Sequence, residues 1–126
     1  MPPINVVLAH QDPALANNLA HAVEKQYLNL TTAKNKEEIR GAVSRYRASL
    51  AIVDLELVDI TELGELCTEF PATAFVSTHR LADDAMWTRS LAVGAVDCCL
   101  ASDLPHVLQA SDRYIAIKNA HAVPAA

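Results

Sequence analysis

The sequence predicts an α/β protein: one doubly wound parallel sheet built as (βα)5, with strand order 2-1-3-4-5. Three observations predict it. Five short apolar runs recur along the 126 residues, and each is followed by a segment with apolar residues at helical spacing. The helical segments open on start signals such as Asp12-Pro13 and Asn35 with Glu38. The most apolar run, Leu50-Ala51-Ile52-Val53, ends in a carboxylate, Asp54. A continuous run of this kind reads as a strand covered on both faces. An unpaired carboxylate is costly inside such a run. Asp54 therefore belongs at the carboxyl end of its strand, the edge where open α/β sheets place ligands.

In chain order, Asn5 to Ala9 is the first strand, and Asp12 caps a helix carrying Leu15, Leu19 and Val23 to about Gln26. The second strand spans Tyr27 to Ala33, with Leu28 and Leu30 on one face. Ile39, Ala42, Val43 and Tyr46 form the apolar stripe of the second helix. The third strand carries Asp54. A short third helix begins at Asp59 or Thr61, uses Leu63, Leu66 and Cys67, and stops before Pro71. Thr73 to Ser77 is the fourth strand and leads to Thr78-His79. Ala82-Asp83-Asp84 opens a fourth helix, acids at its positive end, and Gly94 closes it. Ala95 to Leu100 is the fifth strand, and Asp103-Leu104-Pro105 starts a fifth helix with Val107, Leu108, Ser111 and Ile115. Right-handed crossovers place the switch point between strands 1 and 3. There His10-Gln11-Asp12 and Thr78-His79 crowd Asp54. Residues 1–120 read as one domain and 121–126 as a flexible tail.

Composition narrows the function. The chain is 52% hydrophobic and 20% charged, as a globular protein is, and its formal net charge is -5 without a basic run. That argues against direct nucleic-acid binding. No apolar run reaches the length of a membrane span, and MPPINVV lacks a signal-peptide pattern, so a cytoplasmic location is expected. Cys67, Cys98 and Cys99 have no zinc-ribbon spacing; Cys98-Cys99 reads as strand packing. His21 reads as a solvated or half-buried residue of the first helix, and His106 and His121 read as surface residues. No nucleophile elbow surrounds Ser77 or Cys98, so no catalytic residue is assigned and an enzyme is not expected.

At this point the pattern resembles a response-regulator receiver domain over nearly the whole chain, a flavodoxin-like fold. The resemblance rests on Asp54 in LAIVDLEL, on Thr78 after strand 4, and on Gly94-Ala95 with Asp97 as a GAxD turn. It implies phosphorelay signal transduction in a two-component system, with Asp54 as phospho-acceptor from a sensor histidine kinase and Thr78 binding the phosphoryl group. Departures follow the same alignment. The two acidic magnesium slots after strand 1 are His10 and Gln11, with Asp12 next. The lysine slot is Ala101, the aromatic switch slot is Cys98, and the small residue after the threonine is His79.

Magnesium wants carboxylate oxygens, and phosphoryl transfer rests on positioning and charge neutralisation. Losing one such contact costs about 3 kcal/mol in the transition state. The expectation is an atypical, degenerate receiver: a phosphorylation-independent protein-interaction or dimerisation module using the helix 4, strand 5, helix 5 face. Met86, Trp87 and Cys98 are its interface candidates, and no cofactor is needed. One alternative is a working receiver, with Asp54 phosphorylated and magnesium held weakly by Asp12 and Asp54, Glu56 lying near the site mouth. Another class is a transition-metal module in which His10, Asp54 and His79 converge as ligands.

Overall fold

The first strand and helix fall where the sequence places them. β1 (Asn5–Ala9) is followed by α1 (Pro13–Gln26), whose Pro13 occupies the first turn and whose Asp12 carboxylate accepts the backbone N–H groups of Ala14 and Leu15. The computed structural model describes the backbone of residues 4–27, 29–81 and 83–122, with side chains through 115. β2 (Asn29–Ala33), α2 (Lys36–Tyr46), β3 (Leu50–Asp54), α3 (Ile60–Glu69), β4 (Ala74–His79), α4 (Asp84–Ala92), β5 (Asp97–Leu100) and α5 (Leu104–Ala122) complete the alternation. The strands form one parallel sheet in the order β2-β1-β3-β4-β5, the predicted flavodoxin-like winding.

The central strand is the most enclosed. All five residues of β3 are buried, including Asp54. Side chains alternate across a strand, and the two cores divide accordingly. Ala51 and Val53 join Val7, Phe75, Ile39, Val43, Leu63 and Leu66 on the α2–α3 side. Leu50 and Ile52 join Val6, Leu8, Leu19, Val23, Ala74, Val76 and Val107 on the α1–α5 side. Asp54 and Thr78 continue the second series, and register pairs them directly.

Several boundaries differ from the sequence reading. Strand β2 starts at Asn29 because Tyr27 turns inward as the residue ending α1; Leu28 lies outside the described residues. Tyr27 is buried, and its hydroxyl donates to the Asp112 carboxylate of α5. Burial, then that hydrogen bond, pushes the phenol above its usual range, so it stays a donor. Tyr46 is no part of the buried stripe: it is exposed, with the Arg45 guanidinium 5.4 Å from its ring centre. Strand β5 starts at Asp97, because Ala95 still donates back to the Ser90 carbonyl in the turn that ends α4. For α4 the cap is Asp83, accepting from Met86 N–H; Ala82 lies outside the described residues. Helix α5 runs through His121 and Ala122, two positions into the expected tail, and 123–126 lie outside the described residues.

Asp59 caps α3 with a reciprocal box: its carboxylate accepts from Glu62 N–H, and Glu62 accepts from Asp59 N–H. Phe70 ends the helix before Pro71, where the proline ring disfavours helical backbone.

Two backbone positions carry opposite predictions. Gly94 sits at φ 113°, and a Cβ there would lie 2.9 Å from Cys67 Cβ. Gly94→Ala is expected to lower stability by about 1–3 kcal/mol. Arg47 ends α2 at φ 50°, in the left-handed region. Arg47→Gly removes that cost but loosens the unfolded chain, so the expected net gain is about 0.5 kcal/mol. Urea unfolding of the two variants beside the parent checks both signs.

Candidate functional site at the carboxyl end of the sheet

Asp54 ends β3 at 2% exposure, with Thr78 paired beside it on β4 and fully buried. The backbone closes around it: Leu55 N–H donates to the Thr78 carbonyl, and Leu57 and Val58 N–H donate to the Asp54 carbonyl. From the end of β1 comes His10. Its side chain is 4% exposed, and Nε2 lies 3.8 Å from Asp54 Oδ2. That is beyond hydrogen-bond length but close enough for strong electrostatic coupling in a buried setting.

The orientation of His10 has a local cause. Its Nδ1 accepts the Asp12 backbone N–H at 3.0 Å. In the neutral ring the proton then sits on Nε2, the atom turned toward Asp54. His79 repeats the arrangement, its Nδ1 accepting the Leu81 backbone N–H at 3.0 Å. Both imidazoles are thus tied to the amide two residues ahead. Two polar atoms of the crevice are buried without a hydrogen-bond partner, His10 Nε2 and Thr78 Oγ1. Each costs about 1–3 kcal/mol.

The remaining sequence-derived positions are scattered in role. Gln11 and Asp12 are exposed. The Asp12 carboxylate faces α1, 2.9 Å from Ala14 N and 3.4 Å from Leu15 N, which commits it to capping. Ala101 is buried and presents only a methyl group after β5. Glu56 pairs with Arg80 at 2.9 Å across the mouth of the crevice. The sequence reading missed Arg80. Its signal was available: Asp54 pairs with Thr78 in parallel register, so residues two further on each chain, Glu56 and Arg80, leave the sheet side by side.

Donor chemistry follows from this placement. A magnesium shell is octahedral and oxygen-rich. The crevice offers one buried carboxylate, a hydroxyl and an imidazole, and those residues do not fit the ion. The transition-metal arrangement of His10, Asp54 and His79 does not form either. Among the described residues, the one group of three ligand-type side chains with donor atoms within 4.8 Å of one another is Asp97, Cys99 and His106, elsewhere in the fold.

The interface candidates also separate. Trp87 is 46% exposed, and its Nε1–H donates to Asp97 Oδ1 at 3.1 Å. Met86 is half-buried. Cys98 is 4% exposed, so it offers almost no surface to a partner.

The fold is that of response-regulator receiver domains. A CheY-like receiver domain protein from Methanospirillum hungatei JF-1 matches with a TM-score of 0.80 at 15% identity, over 95% of this chain and 99% of its own. A response regulator from Thermotoga maritima matches at 0.78 and 23% identity, over 90% and 98%. A response regulator from Burkholderia pseudomallei, solved with a phosphorylated aspartic acid, a calcium ion and citrate, matches at 0.76 and 19%, over 94% and 72%. No family model matches the sequence, and no curated protein matches it. The likeness is one of fold.

With an imidazole, His10, as the nearest titratable neighbour of Asp54, the crevice avoids the like-charge repulsion of clustered carboxylates. Millimolar magnesium is expected to leave the melting temperature of the parent protein unchanged, since an ion that binds the folded state must raise it. His10→Asp is expected to lower stability by about 1–2 kcal/mol without metal, and magnesium is expected to restore part of it. Differential scanning fluorimetry with and without the ion reads both; a clear rise for the parent would contradict the fit described above.

Proposed function

We propose that this chain is an atypical receiver domain, in or derived from two-component phosphorelay signalling, that acts mainly as a phosphorylation-independent protein-interaction or dimerisation module. The observation that carries the reading is the pairing at the sheet edge: buried Asp54 is faced by His10 Nε2 at 3.8 Å, while the cation slot after β5 holds buried Ala101. Transfer to Asp54 adds negative charge beside a donor set that suits magnesium poorly, with an alanine rather than a lysine at position 101. Arg80, 76% exposed, is already paired with Glu56 at 2.9 Å.

The working surface in this proposal is the face of α4, β5 and α5. Trp87 and Leu100 stand exposed on it, and Leu81 is exposed in the approach to α4. Aromatic anchors of this kind concentrate binding energy. The partners are proteins, a second copy of the chain or a sensor histidine kinase among them; the net charge of -5 speaks against direct nucleic-acid contact. In this reading the module is not an enzyme, needs no cofactor and works in the cytoplasm, as one folded domain whose last helix, α5, reaches Ala122.

A second reading, a working phospho-acceptor, is favoured by the pairing of Asp54 with Thr78 and by the phosphorylated aspartic acid of the Burkholderia pseudomallei protein of the same fold. One experiment separates them. The protein is incubated with magnesium and acetyl phosphate, and its intact mass is compared with that of Asp54→Ala. The expected outcome is no adduct on the folded parent. A phosphoryl mass that disappears in Asp54→Ala would establish the second reading instead.

A further inference from the structure

Asp97 begins β5, and Cys99 lies two residues along on the same strand face. His106 belongs to the first turns of α5, which packs over that face. One ligand atom from each of the three comes within 4.8 Å of the others. His106 Nε2 and Asp97 Oδ2 are 3.2 Å apart. The set mixes imidazole, thiol and carboxylate, a donor combination suited to borderline first-row ions and not to magnesium or calcium.

We propose that Asp97, Cys99 and His106 form a binding site for a divalent first-row transition ion, zinc above all, with one coordination position left to water. In a tetrahedral zinc shell neighbouring donor atoms lie about 3.3–3.8 Å apart. The His106–Asp97 pair, at 3.2 Å, sits just below that range, and the Cys99 thiol, within 4.8 Å of both, closes the shell by a small inward shift. The site opens outward on the His106 side, where that side chain is 44% exposed, and is closed inward by buried Cys99.

The surroundings orient the carboxylate. Asp97 Oδ1 accepts from Trp87 Nε1 at 3.1 Å and from Cys98 N at 2.8 Å, which leaves Oδ2 for the ion. Such outer hydrogen bonds fix ligand direction in metal sites. Trp87 is a positioning residue here. Burial, with the Asp97 charge adding to it, pushes the Cys99 thiol up to about 12. The neutral thiol must therefore lose its proton to solvent as the ion binds, and the ion's own charge reverses the field that opposed this loss.

Cobalt and zinc chloride are the probes. The reduced, metal-stripped protein is expected to bind one equivalent of cobalt with a thiolate-to-cobalt absorption band, displaced by zinc. Emission from Trp87, the one tryptophan of the chain, is expected to change in step. His106→Gln and Cys99→Ser are expected to weaken cobalt binding at least tenfold, and Trp87→Phe about tenfold with the band retained. His106 is half exposed, so His106→Gln keeps the fold even where the buried cysteine substitution does not. Two results overturn the proposal: no band at excess cobalt, or a band that survives His106→Gln unchanged and so belongs to another cysteine.

Discussion

The register that sets Asp54 against Thr78 governs the rest of the molecule. It comes from the middle of the sheet, where β3 has neighbours on both sides and all five of its residues are buried. A slip of one residue would turn Leu50 and Ile52 from one core to the other and carry Asp54 with them. Two apolar cores therefore hold one carboxylate in place. Around that carboxylate stand His10, held by the Asp12 amide with Nε2 facing Asp54, Thr78 beside it, and the Glu56–Arg80 pair.

Around β5 a second carboxylate does comparable work on the surface. Asp97 links Trp87 of α4 to His106 of α5 across an edge strand. An edge strand leaves one row of backbone groups without a sheet partner, and proteins cover such edges or strand partners add to them. Here the covering is a strap of three side chains. The face proposed for partners and the cluster proposed for metal are thus built on the same residue.

The fold was legible because the strands are short apolar runs separated by strong helix starts. Asp12, Asn35, Asp59 and Asp83 cap four helices through their side chains. What could not be read was the direction of individual side chains. Tyr27 reads as strand from its β-favouring side chain, yet the core and Asp112 bring it to the end of α1. Tyr46 fits the helical stripe by spacing, but it ends α2 with its ring in solvent under the Arg45 guanidinium. At the site, sequence placed His10 and His79 correctly at strand ends. It could not tell that each ring bends back to a nearby amide, since that depends on loop torsions. Nor could it join Asp97, Cys99 and His106, because a helix start and a strand meet there only after the sheet has formed.

The backbone ties of the two histidines bear on how this end of the sheet could communicate. Each ring is immobilised by its own loop, not by whatever occupies the crevice. Filling the crevice therefore gains little by freezing loose side chains, and emptying it releases little motion. The remaining route is mechanical. Turning the His79 ring would break its bond to Leu81 N–H and free the segment that leads into α4, while turning His10 would release the Asp12 amide at the mouth of α1. The crevice is thereby tied to two helix entrances, those of α1 and α4.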